Sequence, residues 1–315
     1  MTSSLIFSFA ICFLALKLTI KLSSKISNPT RDFVPGDKEI KKKVSPFGGI
    51  CMFFAIFISI LIFAPKMFFV FVPSFLMLLL GMVDDLKKVI SGNYKGISAK
   101  QKLLFQSLIG ATVCFLGFYF NPNFDTFKIV IPFYGFFELK TPLILSFIIA
   151  FFAFNGTVNA ANLTDGLDGL AGKQVLAIFS FLLAMLFVLK AQTEFKIFAL
   201  IIIGSLLAFL IFNSNPASIF MGDAGSMGLG SLIATFFIIF KMELIMPFVC
   251  FVIFMEALSV ILQVVYFKKT GGKRIFKMSP LHHHFQLSGM KEQKITELAF
   301  LITIVLSLIF LTPFF

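Results

Sequence analysis

Long apolar runs separated by short polar intervals dominate the chain. A helix needs about 20 predominantly apolar residues to cross a bilayer, within a range of about 17–25. Ten stretches read as spans: 3–22, 47–64, 67–83, 101–119, 141–158, 170–190, 196–212, 226–240, 244–266 and 295–313. The eighth is short and needs help from its flanks. Between spans, only residues 121–140 carry a strand pattern. Phe, Val, Ile and Tyr alternate there around Pro132 and Gly135, which predicts a small hairpin outside the membrane. The first stretch lacks a basic leader and a small-residue cleavage site and is expected to be a retained span. The expected fold is an all-α integral membrane protein, one polytopic domain over 1–315.

Composition agrees. Of 315 residues, 58% are hydrophobic and 13% charged, and the mean hydropathy is +0.99. Soluble domains average about 45–50% apolar and about 25% charged residues. A soluble enzyme, a disordered chain and a disulfide scaffold are thereby excluded. Cys12, Cys51, Cys114 and Cys250 lie far apart in or beside apolar stretches, with no CxxC pair for zinc. The net charge of +12 would suggest nucleic acid in a soluble protein. Here it reports orientation, because basic residues collect in cytoplasmic loops, and no nucleic-acid partner is expected. Of 27 Lys and Arg, only Lys66, Lys128, Lys140, Lys190, Lys196 and Lys241 fall after even-numbered spans. The loops after odd-numbered spans are therefore expected in the cytoplasm, with both termini and the hairpin outside.

The acids and histidines sort by side as well. Asp84 and Asp85 end the third span, Asp165 and Asp168 follow the fifth, Asp223 precedes the eighth, and His282, His283 and His284 lie between the last two. All fall on the expected cytoplasmic face. Together they predict one polar cleft built from loops near 84–102, 155–172, 213–226 and 267–294.

Each motif has a plain and a chemical reading. In GMVDDLKK (81–88) the adjacent carboxylates point about 100° apart on a helix. They are either solvated at the interface, or serve as a metal ligand or a base near a phosphate. Lys87, Lys88, Lys95, Lys100 and Lys102 would attract an anionic substrate or lipid head group, or are ordinary positive-inside charges. In NGTVNAANLTDGLDGLAG (155–172), Asn159, Asn162, Asp165 and Asp168 recur every third residue, which suits a nucleobase, a sugar or a metal. Thr164 or Asp165 is a candidate cap for the sixth span. NSNPASIFMGDAGSMGLG (213–230) has a glycine-rich turn opening a helix, whose N–H groups suit a phosphate. Its Asp223 suits a hard cation such as magnesium, which takes one or two carboxylates plus phosphates and water. Glu256, Ser259 and Gln263 share one helix face inside the ninth span. Glu256 has a functional and a packing reading; Gln263, nearer the cytoplasmic end, is the better ligand candidate. The triple histidine is a poor zinc site, since three consecutive residues cannot share one helical face. It suits a phosphate or pyrophosphate better.

Taken together, GMVDD, NAANLTDGLDGLAG, FMGDAGS, EALSVILQV and RIFKMSPLHHHFQLSG resemble the polyprenyl-phosphate N-acetylhexosamine-1-phosphate transferase superfamily, of glycosyltransferase 4 type, from about Gly81 to Gly289. The histidine motif most resembles the members that act in peptidoglycan synthesis. The resemblance implies transfer of phospho-N-acetylmuramoyl-pentapeptide from its UDP conjugate to undecaprenyl phosphate, giving lipid I and UMP. It implies a Mg2+-dependent enzyme in the bacterial inner membrane, with its active site facing the cytoplasm. A homodimer is an assembly to be tested. By resemblance, Asp84, Asp85, Asp223 and His282 are the catalytic candidates, and Asp223 is the metal ligand. Asn159, Asn162, Asp165 and Phe220 would shape the nucleoside site, with Asp168 a further substrate-binding candidate and Lys102 a further candidate for the uridine pocket. Asn213, Gln263, His283 and His284 would line the nucleotide–phosphate region beside His282. One segment departs. Where the family carries Thr-Pro-Thr-Met-Gly-Gly after a basic loop with His, this chain reads KKKVSPFGGI (41–50). Gly48 and Gly49 remain, and Lys41, Lys42 or Lys43 would have to supply the charge for the lipid phosphate. The alternatives are an N-acetylglucosamine-1-phosphate transferase and, more remotely, a cation-coupled transporter.

Overall fold

Apolar side chains on uninterrupted helix formers give the chain its helices, and glycines, prolines and polar intervals end them. The computed structural model describes residues 1–23, 44–92 and 96–314; Lys41, Lys42, Lys43 and Lys95 lie outside these ranges. In chain order the elements are α1 (Thr2–Leu22), α2 (Gly48–Phe63), α3 (Phe68–Ser91), α4 (Ala99–Phe120), β1 (Thr126–Ile131), β2 (Gly135–Lys140), α5 (Leu143–Thr164) and α6 (Leu170–Val188). There follow α7 (Thr193–Asn213), α8 (Gly222–Ile239), α9 (Met246–Val249), α10 (Phe251–Lys269), α11 (Leu281–Leu287) and α12 (Glu292–Leu311). Among the described residues nine helices are long and apolar enough to cross a membrane, and α2 is a shorter apolar helix. The protein is an all-α, multi-pass integral membrane fold.

Hydropathy marks the greasy part of a helix, not its end. The third span therefore continues past residue 83: α3 runs to Ser91 and stops where Gly92 takes a left-handed φ of 61°. The fifth continues to Thr164. The ninth is divided, because Pro247 opens the one-turn helix α9 and α10 starts only at Phe251. The expected cap of the sixth span is not made. The residue before α6 is Gly169, with no side-chain cap, and the Thr164 hydroxyl donates to Ala160 O within its own helix.

Helix α8 is the axis of the bundle, with 89% of its span buried. Small residues make this possible, as they do where helices pack in lipid. Gly81 of α3 lies so close to the backbone of Asp223 and Ala224 that a Cβ there would collide with main-chain atoms. That approach brings Asp84 and Asp85, one turn further along α3, to the start of α8. Residues 45–49 dock on the segment before α8: Phe220 N–H donates to Ser45 O (2.8 Å), Gly48 N–H to Phe220 O (2.9 Å) and Gly49 N–H to Met221 O (3.0 Å).

The hairpin lies at the other end of α8. β1 and β2 pair antiparallel from Thr126↔Lys140 to Ile131↔Gly135, within the predicted interval. Asn121 Nδ2 donates to Ile239 O (3.4 Å) and Lys128 N–H to Lys241 O (2.7 Å). Lys241 behaves unlike an ordinary loop lysine. Fully buried, it pairs with Glu243 at 2.7 Å and sits over the rings of Phe127 (3.8 Å) and Phe124 (4.1 Å).

Candidate active site

Asp84 and Asp85 on α3 and Asp223 at the start of α8 bring carboxylate oxygens within 4.8 Å of one another. Their neighbours divide the work. Asp85 receives the first N–H groups of α8, from Asp223 (3.1 Å) and Ala224 (2.9 Å). The helix start expected to hold a phosphate is thus already occupied, at these two groups, by a carboxylate. Gly222, at φ 72°, makes the turn that aims them; a Cβ there would meet Pro46 O and the Asp85 carboxylate. Asp84 points elsewhere: its Oδ1 accepts from Ile97 N–H (2.7 Å). Asn162, on the last turn of α5, donates to Asp223 Oδ1 (3.1 Å) and to Ser226 Oγ (2.9 Å).

Two lysines close the cluster. Lys88 Nζ lies 2.6 Å from Asp84 Oδ2, 3.0 Å from Asp223 Oδ2 and 3.7 Å from Asp85 Oδ1. Lys102, at the start of α4, reaches Asp223 Oδ2 at 2.8 Å. The cluster fits a hard divalent cation. Its donors are all oxygens, and Asp84 Oδ2 and Asp223 Oδ2 already share one positive charge.

Asp165 lies beyond the end of α5. Half-buried, with Asp223, Asp85 and Asp168 nearby, its carboxyl is pushed up to about 8, chiefly by burial and then by those negative charges. The adjoining Gly166 packs against His282 so closely that a Cβ would strike the imidazole at Nε2. His282 is held from behind by Glu256 of α10, whose Oε2 lies 3.1 Å from Nδ1 and accepts the His282 N–H at 3.2 Å. Its Nε2 is buried with no partner among the described residues.

The three histidines have different hydrogen-bond partners, although the rings of His282 and His283 touch edge to face with centroids 4.2 Å apart. His283 Nδ1 is 2.9 Å from Gln286 Oε1, and His284 Nδ1 accepts from Lys277 N–H at 3.1 Å. Gln263 Oε1 accepts from Ile275 and Phe276 N–H (3.1 and 2.9 Å). Gln263 and His284 thus hold the 275–277 loop in place. Asp168 Oδ2 accepts from Asn215 Nδ2 (3.2 Å) and Ala217 N–H (3.0 Å), while Asn213 bridges Gly169 N–H (3.1 Å) and Ile219 O (2.9 Å). These two residues tie the loop before α6 to the loop before α8. Asn159 donates to Asn155 O within α5 (2.8 Å), and Phe220 is half-buried with its backbone docked on residues 45–48.

Residues 67–241 match Glycosyl transferase family 4. The chain belongs to that family. It is 36% identical over 321 residues to the phospho-N-acetylmuramoyl-pentapeptide-transferase of Wolbachia sp. subsp. Drosophila simulans (strain wRi), covering 97% of this chain and 96% of that protein. Proteins of the same name from Caldanaerobacter subterraneus subsp. tengcongensis and Bacillus cytotoxicus are 40% and 38% identical, over 84% and 86% of this chain and 83% and 84% of each relative.

Within this family member, the trio, Asn162 and Lys102 meet directly, and Asp165 and His282 adjoin them through Gly166. Gln263 and His284 hold the 275–277 loop, and His283 meets Gln286 and the ring of His282. Sequence reading did not place Lys88 among the carboxylates, although its spacing of four from Asp84 on one helix is the signal for such a pair. Nor did it pair Glu256 with His282, because no local spacing links them.

Proposed function

We propose that this transferase moves phospho-N-acetylmuramoyl-pentapeptide from its UDP conjugate to undecaprenyl phosphate, forming lipid I and releasing UMP. The observation that carries the reading is the convergence of Asp84, Asp85 and Asp223 with Lys88 and Lys102 at one end of a membrane bundle. The names of the relatives give the group transferred, phospho-N-acetylmuramoyl-pentapeptide, and the superfamily resemblance supplies the UDP donor and the polyprenyl phosphate acceptor. An oxygen of the lipid phosphate attacks the phosphorus bearing the sugar, and the bond from that phosphorus to the UMP phosphate breaks. Phosphoryl transfer of this kind depends on positioning and charge neutralisation. Lys88 and Lys102 supply positive charge for the phosphates. Asp84, fixed by Ile97 N–H, orients the acceptor; a phosphate monoester with a second pKa of about 6 is mostly dianionic at neutral pH and needs little help from a base. Asn162 holds Asp223 in place, and His282 presents Nε2 beside the Asp165 loop.

Asp223 and Asp84 would hold a divalent ion, magnesium by the chemistry of the donor set. Such an ion, when bound, neutralises charge as the two phosphorylated molecules approach. The excess of Lys and Arg after odd-numbered spans assigns the cluster to the cytoplasmic face of the bacterial inner membrane. The test is UMP release from UDP-N-acetylmuramoyl-pentapeptide and, separately, from UDP-N-acetylglucosamine, each with and without Mg2+. Release from the first donor alone, dependent on the ion, is expected. Release only from the second identifies an N-acetylglucosamine-1-phosphate transferase instead.

A further inference from the structure

We propose that Lys88 is the resident counter-ion of the carboxylate trio, its ammonium standing where a divalent cation binds, so that the ion enters by displacing it. This rests on the divalent-ion reading above. Each of the other carboxylate oxygens has its own partner. Asp84 Oδ1 is held by Ile97 N–H, Asp223 Oδ1 by Asn162, and both oxygens of Asp85 by the first turn of α8. That leaves Asp84 Oδ2 and Asp223 Oδ2, and these are the two oxygens that Lys88 draws together, at 2.6 and 3.0 Å. Ammonium and metal ion therefore compete for the same pair. Lys102 also reaches Asp223 Oδ2, at 2.8 Å, but among the described residues it is Lys88 that bridges this oxygen to Asp84 Oδ2.

The physical logic is electrostatic. Three carboxylates so close repel one another strongly at the low effective dielectric of a half-buried site. A cation must sit among them even before any metal arrives, and Lys88 is one turn of helix from Asp84 and able to supply it. Its side chain is one-quarter exposed, and its flexible four-carbon stem lets the ammonium leave without movement of α3. Once displaced, that ammonium remains tethered at the site, free to meet a phosphate.

The experiment uses the full chain in detergent without nucleotide, with Mn2+ as the probe and its free signal read by electron paramagnetic resonance. Lys88→Gln should bind Mn2+ about tenfold more tightly than wild type, since a competing charge is gone. The metal-free Lys88→Gln protein should also melt at a lower temperature and gain more on adding the ion. Asp223→Asn should lose the bound ion. Independently of any variant, saturating Mg2+ should raise acylation of Lys88 in the wild-type chain, measured by mass spectrometry. Wild-type Mn2+ binding with unchanged or weaker affinity in Lys88→Gln, or Lys88 labelling that Mg2+ leaves unchanged or lowers, overturns the role of Lys88 alone. Absence of Mn2+ binding in the wild type, or its persistence in Asp223→Asn, overturns the ion site itself.

Discussion

Asp84 and Asp85 are sequence neighbours with separate tasks, and the difference is measurable one residue at a time. Asp85 accepts two N–H groups at the start of α8, so Asp85→Ala should cost about 2 kcal/mol or more of stability, seen as a lower melting temperature. Asp223→Asn keeps the shape and removes a charge. UMP release should fall at least about a hundredfold while the chain still folds. Near wild-type turnover in that variant would remove Asp223 from the mechanism. Asp165 gives a pH signature. Its carboxyl, pushed from 3.8 to about 8, keeps a proton in the folded chain that the unfolded chain has lost across that window. The folded state then binds more protons, so this contribution to stability shrinks as pH rises from 3.8 to about 8. Melting temperatures in chelator from about pH 5 to about pH 9 should fall less steeply for Asp165→Asn than for wild type.

At the scale of elements, α8 joins the two ends of the molecule. Its 18 residues rise about 27 Å, close to the hydrocarbon thickness of a bilayer. One end carries Asp223; just beyond the other, Lys241 and Glu243 anchor the hairpin. Burial pushes the Glu243 carboxyl up to about 7, against the opposing pull of Lys241. Removing one member of a buried pair leaves an uncompensated charge, at a cost of about 3–5 kcal/mol. Lys241→Met should therefore lower the melting temperature sharply, while the double variant with Glu243→Leu recovers most of the loss. Equal melting of the single and double variants would show that the pair does not matter as a pair. The α5 helix and the loop behind it work differently: Asn162 reaches the trio from the helix, whereas Asp165 and Asp168 leave the helical register.

For the whole molecule, the carboxylate cluster and the hairpin lie at opposite ends of the bundle. On the proposed orientation, the positive loops put the face with the cluster in the cytoplasm. In sealed inverted membrane vesicles, UDP-N-acetylmuramoyl-pentapeptide added outside should be consumed without permeabilising the membrane. In right-side-out vesicles it should be consumed only after permeabilisation. The opposite pattern would reverse the orientation.

The helices and the hairpin were legible in the sequence because bilayer thickness fixes the length of an apolar run and strand alternation has a period of two. The acids and histidines could be collected on one face because sidedness follows from counting spans. Helix ends were less legible. Asp84 and Asp85 sit within α3, not at its end, since a helix continues past the greasy stretch until a residue such as Gly92 turns it. Partnerships lay beyond the sequence altogether. Asp85 with the start of α8, Lys88 with Asp223, His282 with Glu256 and Lys241 with the rings of the hairpin are contacts between distant or newly juxtaposed parts of the chain. The sequence by itself determined that this is a membrane-spanning bundle with a set of chemically suited side chains. Only tertiary packing, with Gly81 letting α3 close on α8, decided which oxygens face a cation and which are already held by backbone N–H groups.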